Sequence, residues 1–384
     1  MDIYQEPDPN IEYKCSDNTI SKGFTLLMKW VMLTKEHPEL HDKIKEYIRD
    51  RPKEINKQNE KGLTALMMAS RYSNGDSTEN TVKMLIEAEA NVDLQNNDGW
   101  TALMLASRNS KTESTENTVK MLIEAKSNVN LQEKDGWTAL MMTSRYSNGD
   151  STENTVKMLI EAKANVDLQN NDGWTALIMA SRYSNGDSTE NTVKMLIEAK
   201  ANVDLQNNDG WTALMMACGY SNGDSTENTV KMLIEAKANI DLHNNNGWTA
   251  LMMACRNSTT ESTENTVKML IEADDNLTMN KIIENKIPSN IAEPCLNKIY
   301  VKNYLKQRFT RSIVKHIPLI VSEFKLKYGT LSQKIITYNL ELKNTNDKKS
   351  IYNIIHDKDN KIIDYLDIKN ENDMSKLTEY VNLL

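Results

Sequence analysis

Five tryptophans stand 37 residues apart, at Trp100, Trp137, Trp174, Trp211 and Trp248, with Leu63 at the same place in an earlier copy. Arginine–tyrosine pairs recur at the same interval: Arg71-Tyr72, Arg145-Tyr146 and Arg182-Tyr183, with the variants Arg108-Asn109, Gly219-Tyr220 and Arg256-Asn257. Trp, Tyr and Arg are the residue types that dominate hot spots in protein interfaces. The chemistry they offer is recognition, not bond-making.

Residues that could catalyse or hold a metal form no such pattern. His37 and His41 are four apart, but Pro38 lies between them and no Glu follows His37 directly, so a zinc helix is not expected. Asp187 precedes Glu190 by three, the spacing of a helix-capping box, which explains the pair better than calcium does. A phosphate loop, a Gly-x-Ser-x-Gly elbow and a paired-cysteine motif are all missing. Nothing arranges a nucleophile, a base and an oxyanion site, so we expect no enzyme, no cofactor and no metal. Cys218 and Cys255 are one period apart. Stacked helices at ~8–10 Å exceed the ~7 Å limit of a disulfide. These two, with Cys15 and Cys295, are read as reduced thiols of a cytoplasmic protein. Asn257-Ser258-Thr259 and Asn276-Leu277-Thr278 fit the glycosylation pattern but lack the secretory context it needs.

The positioning elements follow from a second regularity. Gly-x-Thr-Ala-Leu starts at Gly62, Gly99, Gly136, Gly173, Gly210 and Gly247, always 37 residues on. A fixed period of this size signals a stacked solenoid, whose surfaces hold partners. Composition agrees: hydrophobic residues are 39% of 384, and three Phe stand against 21 Met, which suits thin helical layers better than one large core. From Asp274 onward 18 basic residues face 14 acidic ones, a balance of +4 that leaves −12 for the preceding residues out of a net −8. An acidic array argues against nucleic acid. The acidic start Met1-Asp2-Ile3-Tyr4-Gln5-Glu6 is not a signal peptide, and no apolar run reaches the length of a membrane span.

Within one repeat, Thr175–Arg182 reads as a short helix with Leu177 and Ala180 on one face. Asn185-Gly186 makes a turn, Asp187 caps a second helix through Ala199, and Val193, Leu196 and Ile197 form its apolar stripe. Ala201–Leu205 leads out in extended form and Gln206–Gly210 turns into the next copy.

Asn170-Asn171-Asp172-Gly173-Trp174-Thr175-Ala176-Leu177-Ile178-Met179-Ala180 resembles the ankyrin consensus Asp-x-x-Gly-x-Thr-Pro-Leu-His-x-Ala, and Val193–Ala199 resembles its second helix. The resemblance implies an all-α ankyrin solenoid and covers residues 62–280. Three departures stand out. The family's period of 33 is extended to 37 in the link between helices; Ala176 replaces a proline; and Lys200 replaces the helix-ending glycine. We expect the link and helix ends to be looser for it. The organisation expected is an N-terminal segment 1–22, a divergent capping repeat 23–61, repeats 62–98, 99–135, 136–172, 173–209, 210–246 and 247–283, and a helical C-terminal region 284–384. The near-identity of successive copies, with abundant Asn, Ile, Lys and Tyr, resembles the ankyrin families of giant DNA viruses of amoebae; the location implied is then the host cytoplasm.

Ankyrin proteins engage partners on the concave side, through the turn and the exposed end of the first helix. Carried over, the partner-binding residues are Trp100, Trp137, Trp174, Trp211, Trp248, Arg71, Tyr72, Arg145, Tyr146, Arg182, Tyr183 and Tyr220, with Asn171 and Asp172 beside them. The tryptophans have a second reading: each lies on its neighbour's turn and is copied by duplication. The function implied is a monomeric, non-catalytic scaffold for a protein partner, without nucleic acid or membrane. The tail offers an alternative. Val301, Leu305, Phe309, Ile313 and Ile317 form a helical stripe flanked by Lys298, Lys302, Lys306, Arg308, Arg311 and Lys315. That stripe either caps the last repeat or meets an acidic partner or membrane surface. Ile317-Pro318-Leu319-Ile320-Val321 is faintly similar to viral motifs that recruit a ubiquitin ligase, which would make the chain an adaptor.

Overall fold

The computed structural model describes residues 3–8, 10–14, 20–257 and 262–273. The chain divides into two parts, Met1–Gly247 and Trp248–Leu384. The first opens on a two-residue antiparallel ladder, β1 (Tyr13–Lys14) with β2 (Ile20–Ser21). Helix pairs follow: α1 (Leu26–Val31) with α2 (Leu40–Asp50), α3 (Ala65–Arg71) with α4 (Glu79–Glu87), and α5 (Ala102–Arg108) with α6 (Glu116–Glu124). They continue as α7 (Ala139–Arg145) with α8 (Glu153–Glu161), α9 (Ala176–Arg182) with α10 (Glu190–Glu198), and α11 (Ala213–Gly219) with α12 (Glu227–Glu235). In the second part α13 (Ala250–Asn257) packs on α14 (Glu264–Ala273). The stripe 301–317, the Ile317–Val321 segment, Cys15 and Cys295 lie outside the described residues.

Within the first part, the first helices from α1 to α11 pack in one row and the second helices from α4 to α12 in another. Each first helix is mostly apolar and buried on nearly every side: in α9 every residue from Ala176 to Ser181 is buried. Each second helix buries one face only, Thr192, Val193 and Leu196 in α10, and Ile197 is half-buried. A threonine starts both. Thr175 Oγ1 accepts the Ile178 backbone N–H at 3.1 Å, and Thr189 Oγ1 accepts that of Thr192 at 3.1 Å.

That corrects the expected cap. Asp187 is not the N-cap, and Glu190 opens α10 rather than closing a box. Thr189 is extended, at φ −135° and ψ 155°, which aims its hydroxyl at the freed N–H groups. Glu190 reaches the next repeat instead, accepting from Thr226 Oγ1 at 2.5 Å and Asn228 Nδ2 at 2.6 Å. The exit strand is also corrected: Val203-Asp204 is a turn. The Asn202 carboxamide accepts from Asp204 N at 3.1 Å, and Asn202 N donates to Asp167 Oδ1 at 2.7 Å.

The link and helix ends are not loose. Lys200 occupies the left-handed region at φ 67°, as a glycine would. Its N–H donates to Ile197 O at 2.9 Å and that of Ala201 to Leu196 O at 3.1 Å, the paired bonds of a Schellman turn. In the extended link Asn185 N donates to Asp224 O at 3.0 Å and Asn185 Nδ2 to Gly223 O at 3.0 Å. The four added residues thus supply a second seam between repeats. Beneath it run buried hydroxyls: Ser184 Oγ lies 3.1 Å from Ser225 Oγ and accepts from Thr229 Oγ1 at 2.7 Å.

Candidate functional site

The turn before each first helix sets the tryptophan. Gly173 takes φ +79°, which brings the chain back on itself. Asn170 N donates to Trp174 O at 3.0 Å, and Asn170 Oδ1 accepts from Trp174 N at 2.8 Å. Glu133 does the same for Trp137, at 2.9 Å. Successive turns are sewn together. Asn171 N donates to Asp135 O at 2.9 Å, and Gln169 Nε2 donates both to Gly173 O at 2.7 Å and to Gln206 O at 2.9 Å. The glutamine bridge repeats at Gln58, Gln95, Gln132 and Gln206. Trp100, Trp137, Trp174 and Trp211 are therefore held at one interval in the first part, each half-buried. Trp248, in the second part, is also half-buried.

The arginines and tyrosines pair across repeats. Arg108 lies over Tyr146 at 5.7 Å, Arg145 over Tyr183 at 4.9 Å, and Arg182 over Tyr220 at 4.5 Å. Within a repeat, Arg71 lies over Tyr72 at 5.2 Å, Arg145 over Tyr146 at 5.1 Å and Arg182 over Tyr183 at 5.2 Å. Arg108 and Arg145 also cover Trp100 and Trp137, at 5.6 and 5.9 Å. From Arg108 to Tyr220 the cations and rings alternate without a gap. The Nε atoms of Arg145 and Arg182 are buried with no hydrogen-bond partner among the described residues, Arg182 Nη1 donates to Met216 Sδ at 3.8 Å, and both guanidiniums lie over aromatic rings. Gly219 ends the ladder by removing the next cation.

Within the first part the predicted residues are thus brought together, but not equivalently. Tyr146, Tyr183 and Tyr220 are half-buried within the ladder, whereas Tyr72 is a core residue, 2% exposed. Residue types and spacing missed the cross-repeat pairing, because Arg145 and Tyr183 are 38 positions apart in the chain. Asn109, which the repeat register already places in the tyrosine position, leaves the ladder one ring short.

The histidines do not converge. His37 Nδ1 is 3.0 Å from Glu39 Oε1, while His41 bridges Pro38 O and the Thr78 and Thr81 hydroxyls. Among the described residues no cluster of His, Cys, Asp and Glu could hold a metal, and no helix is long and apolar enough to cross a membrane. Cys218 and Cys255 are both buried.

A family model described as Ankyrin repeats (3 copies) matches residues 27–116, 110–190 and 184–281. The chain is 36% identical over 91 residues to ankyrin repeat protein L88 of Acanthamoeba polyphaga mimivirus, which is 23% of this chain and 10% of that protein. It is 39% identical over 79 residues to protein L289 and 36% identical over 90 residues to protein L91 of the same virus, 20% and 22% of this chain. The matched span covers 14% of each of those two. Among solved structures, the ankyrin repeat domain of Bcl-3 superposes with a TM-score of 0.53 at 21% identity, covering 65% of this chain and 98% of that one. That likeness shows the fold, a stack of ankyrin repeats. With the family model spanning the described helices from α1 to α14, the chain belongs to the ankyrin-repeat family.

Proposed function

We propose that the chain is a non-catalytic scaffold that binds a protein partner along the concave face of its ankyrin stack, with Trp100, Trp137, Trp174 and Trp211 as the contact row. One observation carries the reading: turn hydrogen bonds fix the backbones of these tryptophans at a constant interval, and each residue is half-buried there. A ring that is already ordered loses little rotamer freedom on docking, so more of its burial is available to affinity. The Arg–Tyr ladder beside the row serves as its support. A face that repeats itself suits an extended, repetitive partner, where several weak contacts add through avidity.

Replacing Trp137, Trp174 and Trp211 together with Ala tests this. Partner capture is expected to fall at least tenfold while the helical signal and the unfolding midpoint change little. Capture that survives alongside a large loss of stability would assign the row to the stack alone.

A further inference from the structure

The Arg–Tyr ladder has one empty rung. In three successive gaps a tyrosine lies beneath the arginine of the preceding repeat: Tyr146 by Arg108, Tyr183 by Arg145 and Tyr220 by Arg182. In the gap after Arg71 the residue is Asn109. Its backbone keeps the tyrosine's role, with Ser114 N donating to Asn109 O at 2.9 Å as Ser151 N does to Tyr146 O at 3.1 Å. Its side chain does not fill the space. Asn109 Nδ2 turns back onto its own helix and donates to Leu105 O at 2.8 Å.

A cavity of about 290 Å³ opens there, lined by Arg71, Tyr72, Trp100, Leu105, Arg108 and Asn109, with Phe24, Leu63, Met67 and Met68 among the apolar residues behind. The volume lies just below the ~300–1,000 Å³ of drug-sized sites. It suits a single ring rather than a larger ligand. Arg71, Arg108 and Lys61 on the wall outnumber the one carboxylate, Asp98, and cationic walls complement the negative face of an aromatic ring.

We propose that this cavity receives a tyrosine side chain from a partner polypeptide, seated between Arg71 and Arg108 where the chain's own tyrosines sit in the following repeats. The site deepens the scaffold reading by naming one anchor of the partner. Its test needs only the purified chain and a probe peptide, so it fails or succeeds independently of partner capture.

The experiment titrates acetyl-Gly-Tyr-Gly-amide into the ¹⁵N-labelled full chain and follows the Trp100 indole N–H resonance, with acetyl-Gly-Ala-Gly-amide as control. The expected result is a saturable shift at Trp100 with the tyrosine peptide only. Asn109→Tyr fills the rung from within, so it abolishes that shift and raises Tm. Tyr183→Asn opens a second rung, and the Trp174 indole then responds as well. Absence of a saturable shift at Trp100 in the parent chain, or its persistence in Asn109→Tyr, overturns the proposal. Should Asn109→Tyr not fold, Arg71→Gln decides: roughly threefold weaker binding or more supports the site, and unchanged affinity overturns it.

Discussion

Arg145 lies 4.9 Å from the ring centre of Tyr183, one repeat further on, and 5.1 Å from that of its chain neighbour Tyr146. The guanidinium is thus shared by two rings on successive layers, and the tie between those layers is electrostatic as well as apolar. A cation–π contact contributes about 0.5–1 kcal/mol when exposed and about 2 when desolvated. Arg145→Gln is expected to destabilise the array by about 1–2 kcal/mol. A double-mutant cycle with Tyr183→Leu, read by urea unfolding, should give a coupling near 0.5–1 kcal/mol. Additive effects would show that the two side chains do not interact.

Two glycines of one repeat should respond very differently to alanine. Gly173 has φ +79°, and a Cβ there would sit 2.7 Å from both the N and Oδ1 of Asn208 in the next turn. Gly186 has no such backbone, and its nearest atom is Tyr183 O at 3.9 Å. Gly173→Ala is expected to cost more than about 2 kcal/mol, combining left-handed strain with backbone displacement. Gly186→Ala should change stability by under about 1 kcal/mol. Equal unfolding midpoints for the two variants would contradict this.

The lysines that stand in the family's glycine position hold left-handed backbone, Lys163 at φ 65° and Lys200 at φ 67°. A side chain in that region costs about 1–2 kcal/mol, and glycine's extra freedom in the unfolded chain returns part of the relief. Their positive charge at a helix C-terminus also offsets some of the strain. Lys163→Gly is expected to raise stability by up to about 1 kcal/mol, while Lys163→Ala, which keeps the strain and loses the charge, should lower it. Thermal unfolding of the pair checks the sign.

The stack was legible because every copy carries Gly-x-Thr-Ala-Leu at the same step, so the helix pairs and their apolar faces follow from one unit. The start of α10 was misread for a local reason. Asp187 and Glu190 have the spacing of a capping box, yet Thr189 sits next to the helix and already has the required extended backbone. The added link residues looked like slack because their partners, such as Asp224 O for Asn185 N, belong to another repeat. The candidate site was legible by type and illegible by pairing. Arg145 and Tyr146 are neighbours in sequence, but the ring that lies closest to Arg145 is that of Tyr183. The cavity beside Asn109 had no positive signal at all, only a tyrosine missing from its place.

The glutamine bridge bears on how such a chain lengthens. Gln132 receives at its carbonyl from Gln95 and donates onward to the carbonyl of Gln169, which donates in turn to Gln206. The layers of Gln95, Gln132, Gln169 and Gln206 therefore carry both halves of the joint, like bricks with one tongue and one groove. A copied block of 37 residues inserted between two such layers meets a groove below and offers a tongue above, and no compensating change is needed on either side. Extension by unequal crossing-over is then nearly neutral for folding, and the array's length is free to follow the length of whatever it grips.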